Sequence, residues 1–181
     1  MLLTNIDLNN KDELSRTKKL YLEAFPPDER APFSVLIKRA KKGKADMFSL
    51  VHQDIWCGMA YIVRYKDLAY LFYFAVSPEL RGQGLGSMAI RAILEKYKGE
   101  RVFLALEDWT SESDNKDQRL KRHHFYLSCG LNDLPYHIKE ANVIYAIMGN
   151  NGKVEPEEYK ALINNYLGFF MRHIVDMRII K

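Results

Sequence analysis

The chain has 181 residues, 48% hydrophobic and 28% charged, which suits one soluble globular domain with a sizeable core. Its net charge of +4, from 27 basic and 23 acidic residues, is compatible with a polyanionic ligand and too mild to argue for nucleic acid by itself. No apolar run approaches the ~20 residues of a membrane span, and the two cysteines, Cys57 and Cys129, in a chain without a signal-peptide pattern point to reduced thiols in a cytoplasmic protein.

Residues 1–7 read as a short first strand. Residues 10–25 are predicted helical, with Leu14, Lys18, Tyr21, Leu22 and Phe25 as an imperfect apolar stripe. Pro26-Pro27 ends that helix, because proline cannot continue the hydrogen-bond ladder. A second helix is predicted over 32–42, with Gly43 as its C-cap. The basic run Lys38, Arg39, Lys41, Lys42 and Lys44 falls at its end, where the helix dipole favours cations. No aromatics interleave with these residues, so the run reads as a solvated helix end. Three strand-like runs follow, at 46–52, 55–65 and 68–76. Gln53-Asp54 and Lys66-Asp67 separate them, connections short enough for antiparallel hairpins.

The third run opens the most informative stretch, "YLFYFAVSPELRGQGLGSMAIRAILEKY", residues 70–97. Leu71-Phe72-Tyr73-Phe74-Ala75-Val76 has the length and composition of a buried strand, and Ser77-Pro78 stops it. Arg81-Gly82-Gln83-Gly84-Leu85-Gly86 comes next. Then Leu85, Met88, Ala89, Ala92, Ile93 and Tyr97 fall on one face of a helix, with Ser87, Arg91, Glu95 and Lys98 opposite. A strand, a glycine loop and a helix N-terminus together make an anion site. The first helical N–H groups lack partners, the dipole is positive there, and alternate glycines let a phosphate approach bare backbone. A turn that merely needs positive φ is the plainer alternative. No Gly-Lys-Ser/Thr triplet follows Gly86, which argues against a nucleoside-triphosphate loop. The G-x-G-x-G spacing is also not the G-x-G-x-x-G of a dinucleotide fingerprint.

Further on, Arg101–Glu107 reads as a compact strand and residues 108–115 as a polar loop. The next predicted helix has Asn115 and Gln118 in capping-box spacing. It carries Leu120, His124 and Leu127 on one face and ends before Gly130. Two strands near 135–139 and 142–148, joined by a tight turn, precede a last helix. Pro156 opens that helix, Glu157 and Glu158 lie in its first turn, and Tyr159, Leu162, Ile163, Tyr166, Leu167 and Phe170 form its apolar face. His123 and His124, adjacent on a helix, point about 100° apart and cannot share one ion, and neither cysteine has ligand spacing around it, so no metal site is expected.

The segment Arg81-Gly82-Gln83-Gly84-Leu85-Gly86 resembles the acetyl-CoA pyrophosphate loop of the GNAT N-acetyltransferase superfamily, Gln/Arg-x-x-Gly-x-Gly/Ala, and matches it in full. "HHFYLSCGL" resembles the family's Phe-Tyr-x-x-x-Gly-Leu/Phe signature. The order of elements extends the likeness over all but about the last thirty residues. The resemblance implies an α/β (α+β) GNAT fold: a mixed, mostly antiparallel sheet of about six to seven strands flanked by helices. A parallel strand pair, around Val76 and Leu104, would splay at the cofactor site. It also implies a GNAT domain over 1–150. Residues 151–181 would then be a C-terminal helical extension, docked on that domain or at a dimer contact.

By the same resemblance acetyl-CoA is the cosubstrate. Its diphosphate would lie on Arg81, Gly82, Gln83, Gly84, Leu85, Gly86 and Ser87, and its arm would pair with Phe74, Ala75 and Val76, with Asn115 and Tyr126 completing the set. Tyr126 is then the candidate general acid. Glu107, at the strand end, is a candidate base or the partner of Arg119 or Arg122. A backbone N–H at or beside Val76 would bind the oxyanion. The implied activity is acetyl transfer to a primary amine of a small molecule or peptide, by direct transfer in a ternary complex, in a monomer or homodimer with no nucleic-acid or membrane partner. A CoA-binding regulatory module without turnover is the alternative. The implied acceptor walls, 25–33 and 108–115, hold Asp28, Glu29, Asp108, Glu112 and Asp114; with Glu107 beside them and only Arg30 opposing, they tilt toward a cationic acceptor.

Overall fold

The computed structural model describes residues 1–27, 29–140, 143–171 and 177–180. The elements run β1 (Leu2–Asn5), α1 (Lys11–Ala24), α2 (Phe33–Lys41), β2 (Ala45–His52), β3 (Ile55–Tyr65), β4 (Leu68–Val76), a 3-10 turn (Pro78–Leu80), α3 (Leu85–Lys96), β5 (Arg101–Glu107), α4 (Lys116–Ser128), β6 (Asn132–Glu140), β7 (Val143–Asn150), α5 (Pro156–Met171) and β8 (Met177–Ile180). The eight strands follow the order β1-β2-β3-β4-β5-β7-β6-β8. β4 and β5 are parallel, as a helical crossover requires. The chain divides into two compact units, Met1–Arg64 with Leu71–Lys96, and Tyr65–Tyr70 with Tyr97–Lys181.

In the first unit, Asn10 caps α1 by accepting from the N–H groups of Asp12 and Glu13. α1 buries Thr17, Leu20 and Tyr21, whereas Lys18 and Leu22 face outward. Tyr21 meets Tyr73 of β4 edge-on at 4.9 Å and donates to the Ala31 carbonyl at 2.8 Å. Gln53 and Asp54 both take positive φ, 50° and 63°, the turn that suits the twist of a two-residue hairpin. β2 and β3 carry a bulge: Leu50 faces Gly58 and Val51 faces Trp56, so Cys57 is the extra residue. α3 buries Leu85, Ala89, Ile90 and Ile93, and Tyr97 follows them into the core; Met88, expected inward, is exposed and Ile90 takes its place.

The second unit is centred on aromatic packing. Tyr70 stacks on Phe103 at 4.8 Å, and Tyr159 of α5 meets Tyr70 edge-on at 5.4 Å. Arg101 ties three elements together through Asp67, Glu158 and the Lys153 carbonyl. α5 begins at Pro156 and buries Tyr159, Leu162, Ile163 and Tyr166 as expected; the Phe170 side chain and the turn at 141–142 lie outside the described residues.

Three further expectations are corrected. The sheet has an eighth strand, β8, paired with β6 beyond the predicted final helix. α4 turns a different face inward: Leu120 and Leu127 are 39% and 40% exposed, His124 is exposed, and His123 is buried. No capping box forms at Asn115, because its side-chain oxygen accepts from the Ser113 hydroxyl at 3.0 Å. Among the described residues no helix is long and apolar enough to cross a membrane.

Candidate functional site

The first unit holds the strand, loop and helix as one continuous piece. At the end of β4, the Ser77 N–H donates to the Cys57 carbonyl at 2.8 Å, and the Ala75 carbonyl lies hard against Gly58. Peptide groups alternate direction along a strand. With 75 and 77 turned toward β3, the N–H and C=O of Phe74 and Val76 face the other edge. The Arg81 Nε donates to the Val76 carbonyl at 3.2 Å, which fits that direction. The parallel ladder with β5 covers Leu68, Ala69 and Tyr70, and β4 runs on past it to Val76.

Beyond Val76, Arg81, Gly82, Gln83 and Gly84 are all exposed. Gly82 and Gly84 adopt φ of 77° and 76°, a conformation that only glycine takes without strain. A Cβ on either would stand in open space with nothing within 4 Å, so the bare backbone borders room for a ligand. The Gly84 carbonyl accepts from the Met88 N–H at 3.1 Å, the first bond of α3. The residue at the head of this helix thus has no side chain to cap it. The N–H groups of Leu85, Gly86 and Ser87 have no acceptor within the helix. This is an open, positive-ended backbone nest, suited to a diphosphate. Around it, the Ser77 hydroxyl donates to Glu79 and draws its carboxyl below the usual range. The Gln83 side chain reaches the Glu79 carbonyl at 3.5 Å.

Glu107, Asn115 and Tyr126 lie in the second unit. Glu107 closes β5 and is nearly buried, with Arg119 on one carboxylate oxygen at 2.6 Å and Arg122 on the other. Asp108 is buried beside it. Burial pushes its pKa up, and hydrogen bonds from Ser111 and Thr110 more than offset this, so the carboxyl sits below its usual range. Tyr126, half-buried on α4, has its phenol pushed up to about 12 by burial, with the Arg122 charge pulling the other way. Asn115 is half-buried immediately before α4.

His123, weighed from sequence only as a metal ligand and set aside, is buried on α4. Its ring stacks on Trp109 at 3.5 Å and its Nε2 meets Asp133 at 2.9 Å. Apolar spacing carries no trace of such a contact.

The segment between α1 and α2 is fixed to β4 by Tyr73. Its hydroxyl accepts from the Ala31 N–H at 3.0 Å and donates to the Glu29 carbonyl at 3.3 Å. Arg30 is committed to the carbonyls of Leu22 and Phe25. The acid surplus counted from sequence shrinks accordingly: two arginines hold Glu107, Lys116 pairs with Glu112, and Asp108 is occupied by hydroxyls. Asp28 lies outside the described residues.

The profile of the Acetyltransferase (GNAT) family matches residues 14–131, well over half of the chain. Among solved structures, a candidate GNAT-family acetyltransferase from Bacteroides thetaiotaomicron is similar over 92% of this chain and 96% of its own, at 20% identity and a TM-score of 0.75. An aminoglycoside 6'-N-acetyltransferase complexed with coenzyme A is similar over 86% and 100%, at 14% identity and a TM-score of 0.63. A spermidine N-acetyltransferase from Vibrio cholerae is similar over 83% and 94%, also at 14% and 0.63. At these identities the likeness is one of fold. Comparison with curated proteins by sequence gives no match.

Proposed function

This chain belongs to the GNAT acetyltransferase family, with acetyl-CoA as cosubstrate, and we propose that it transfers the acetyl group directly to a primary amine of a small molecule or peptide in a ternary complex. The observation that carries this reading is the exposed glycine loop, Gly82 and Gly84, at the head of α3, joined without a break to the part of β4 beyond its ladder with β5. The N–H groups of residues 82–86 would hold the CoA diphosphate, with Arg81 at the rim and Gln83, Leu85 and Ser87 completing the loop. Phe74, Ala75 and Val76 would present backbone to the pantetheine arm.

Transfer forms an amide C–N bond and breaks the thioester C–S bond; the amine gives up a proton and CoA leaves as the thiol. Charge developing on the carbonyl oxygen needs a fixed donor. The Ser77 N–H is already taken by Cys57, which favours Val76. We propose that Tyr126 hydrogen-bonds the departing sulfur. With its phenol raised to about 12, it is a donor at neutral pH. It is too weak an acid to neutralise a thiolate of pKa ~8.5, so the proton that does so comes from the amine. Asn115 would steady the arm. Glu107 has both oxygens bound by arginines, leaving little lone-pair capacity for a base, and is proposed instead to anchor α4 to the end of β5.

An amine acceptor is supported by the solved neighbours, which act on aminoglycosides and spermidine. The two buried free cysteines suit a cytoplasmic setting. A thiol-release assay with acetyl-CoA against polyamines, aminoglycosides, amino acids and peptides tests the proposal. Turnover with one amine class is expected; CoA binding without turnover on any of them would favour a regulatory module.

A further inference from the structure

The bulge in β3 falls where β4 ends, and the residue next to it has no side chain. A Cβ built on Gly58 would lie 2.1 Å from the Ala75 carbonyl oxygen, 3.0 Å from the Val76 Cα and 3.1 Å from the Ala75 carbonyl carbon. No rotamer relieves such a clash, since every atom it meets is backbone. One residue earlier, the Cys57 carbonyl accepts the Ser77 N–H at 2.8 Å. Cys57 is the extra residue of the bulge, so its backbone is aimed by the irregularity rather than by the regular ladder. Bulge and bare Cα together close β3 onto the last peptides of β4. That closure sets their roll, turning the Ala75 carbonyl and Ser77 N–H toward β3 and hence the Phe74 and Val76 peptide groups away from it.

We propose that Gly58 is a positioning residue for acyl transfer, acting through β4 to aim the backbone of Phe74 and Val76 at the acyl-pantetheine arm. It rests on the reading that this edge of β4 engages the arm, and it concerns the arm alone. The diphosphate nest lies beyond Pro78 and is built from its own turn, meeting this end of β4 through the Arg81 side chain on the Val76 carbonyl, so residue 58 should affect it far less than the arm.

Two ligands separate these regions. Adenosine 3'-phosphate 5'-diphosphate carries the diphosphate but has no pantetheine arm, whereas acetyl-CoA has both parts. By calorimetry, Gly58→Ala should raise the Kd of acetyl-CoA about tenfold or more, as loss of one or two backbone hydrogen bonds implies. The Kd of the arm-free diphosphate should stay within about twofold.

Ser77→Pro is a second route that adds no volume beside Ala75. Ser77 has φ of −51° and ψ of 133°, which proline accepts, and the change replaces the N–H that Cys57 holds with a ring Cδ that pushes the Cys57 carbonyl off the end of β4. It should give the same selective loss, about three- to tenfold, and Ser77→Ala should bind like the wild type. An unchanged acetyl-CoA Kd in both Gly58→Ala and Ser77→Pro, or equal weakening of both ligands, overturns the role of Gly58. A wild-type protein that binds neither ligand overturns the cofactor reading beneath it.

Discussion

Arg119 and Glu107 form an ion pair at 2.6 Å whose side chains are 16% and 9% exposed, and Arg122 takes the other carboxylate oxygen. The pair joins the last residue of β5 to the first turns of α4. Glu107→Gln would leave the nearly buried Arg119 guanidinium without its counter-charge, while Arg122, 47% exposed, stays largely in water. We predict a loss of roughly 2–3 kcal/mol of stability, read as a lower Tm, with the shape of the kcat–pH profile retained. An unchanged Tm together with loss of the acidic limb of that profile would make Glu107 the base after all.

Tyr126→Phe removes only a hydroxyl. If that hydroxyl stabilises the leaving sulfur, kcat should fall on the order of 10²-fold while acetyl-CoA affinity holds. Single-turnover kinetics at saturating substrate provide the check, and an unaltered rate removes Tyr126 from the chemistry.

Alkaline pH offers a test that needs no substrate. Burial raises the phenol of Tyr126 to about 12 and pushes those of Tyr136 and Tyr159 up as well. Unfolded tyrosines ionise near ~10. Above that pH the unfolded chain binds fewer protons than the native one, so stability is fully present below it and declines as pH rises toward the native values. Chemical denaturation at stepped pH should show this decline, with phenolate absorbance growing in step with unfolding. Early, non-cooperative ionisation of all the tyrosines would contradict the burial described.

Much of the fold was legible because some segments are decided locally. β3, β4 and β5 carry the limits read from the sequence, since continuous β-branched and aromatic runs bounded by short polar turns leave little choice. The glycine loop was equally plain, its spacing being a backbone requirement. α4 was not. Its inward side is set by His123 against Trp109 and Asp133, a polar and stacking contact that apolar periodicity cannot register, so Leu120 and Leu127 misled. Asn115 failed as a cap because Ser113, two residues away, competes for its oxygen. β8 is a four-residue edge strand whose pairing with β6 no local pattern specifies. Gly58 did leave a mark, an isolated glycine in an apolar strand, which signals a bulge or close backbone approach.

The central claim is that the backbone of residues 82–86 grips the diphosphate of coenzyme A, and calorimetric titration with CoA at ~150 mM salt tests it most directly. Saturable binding to the wild type is expected. Gly84→Asp, which strains a position at φ 76° and puts a carboxylate into the nest, should abolish it. No heat with the wild-type protein, or undiminished binding to the Gly84→Asp variant, would contradict the account.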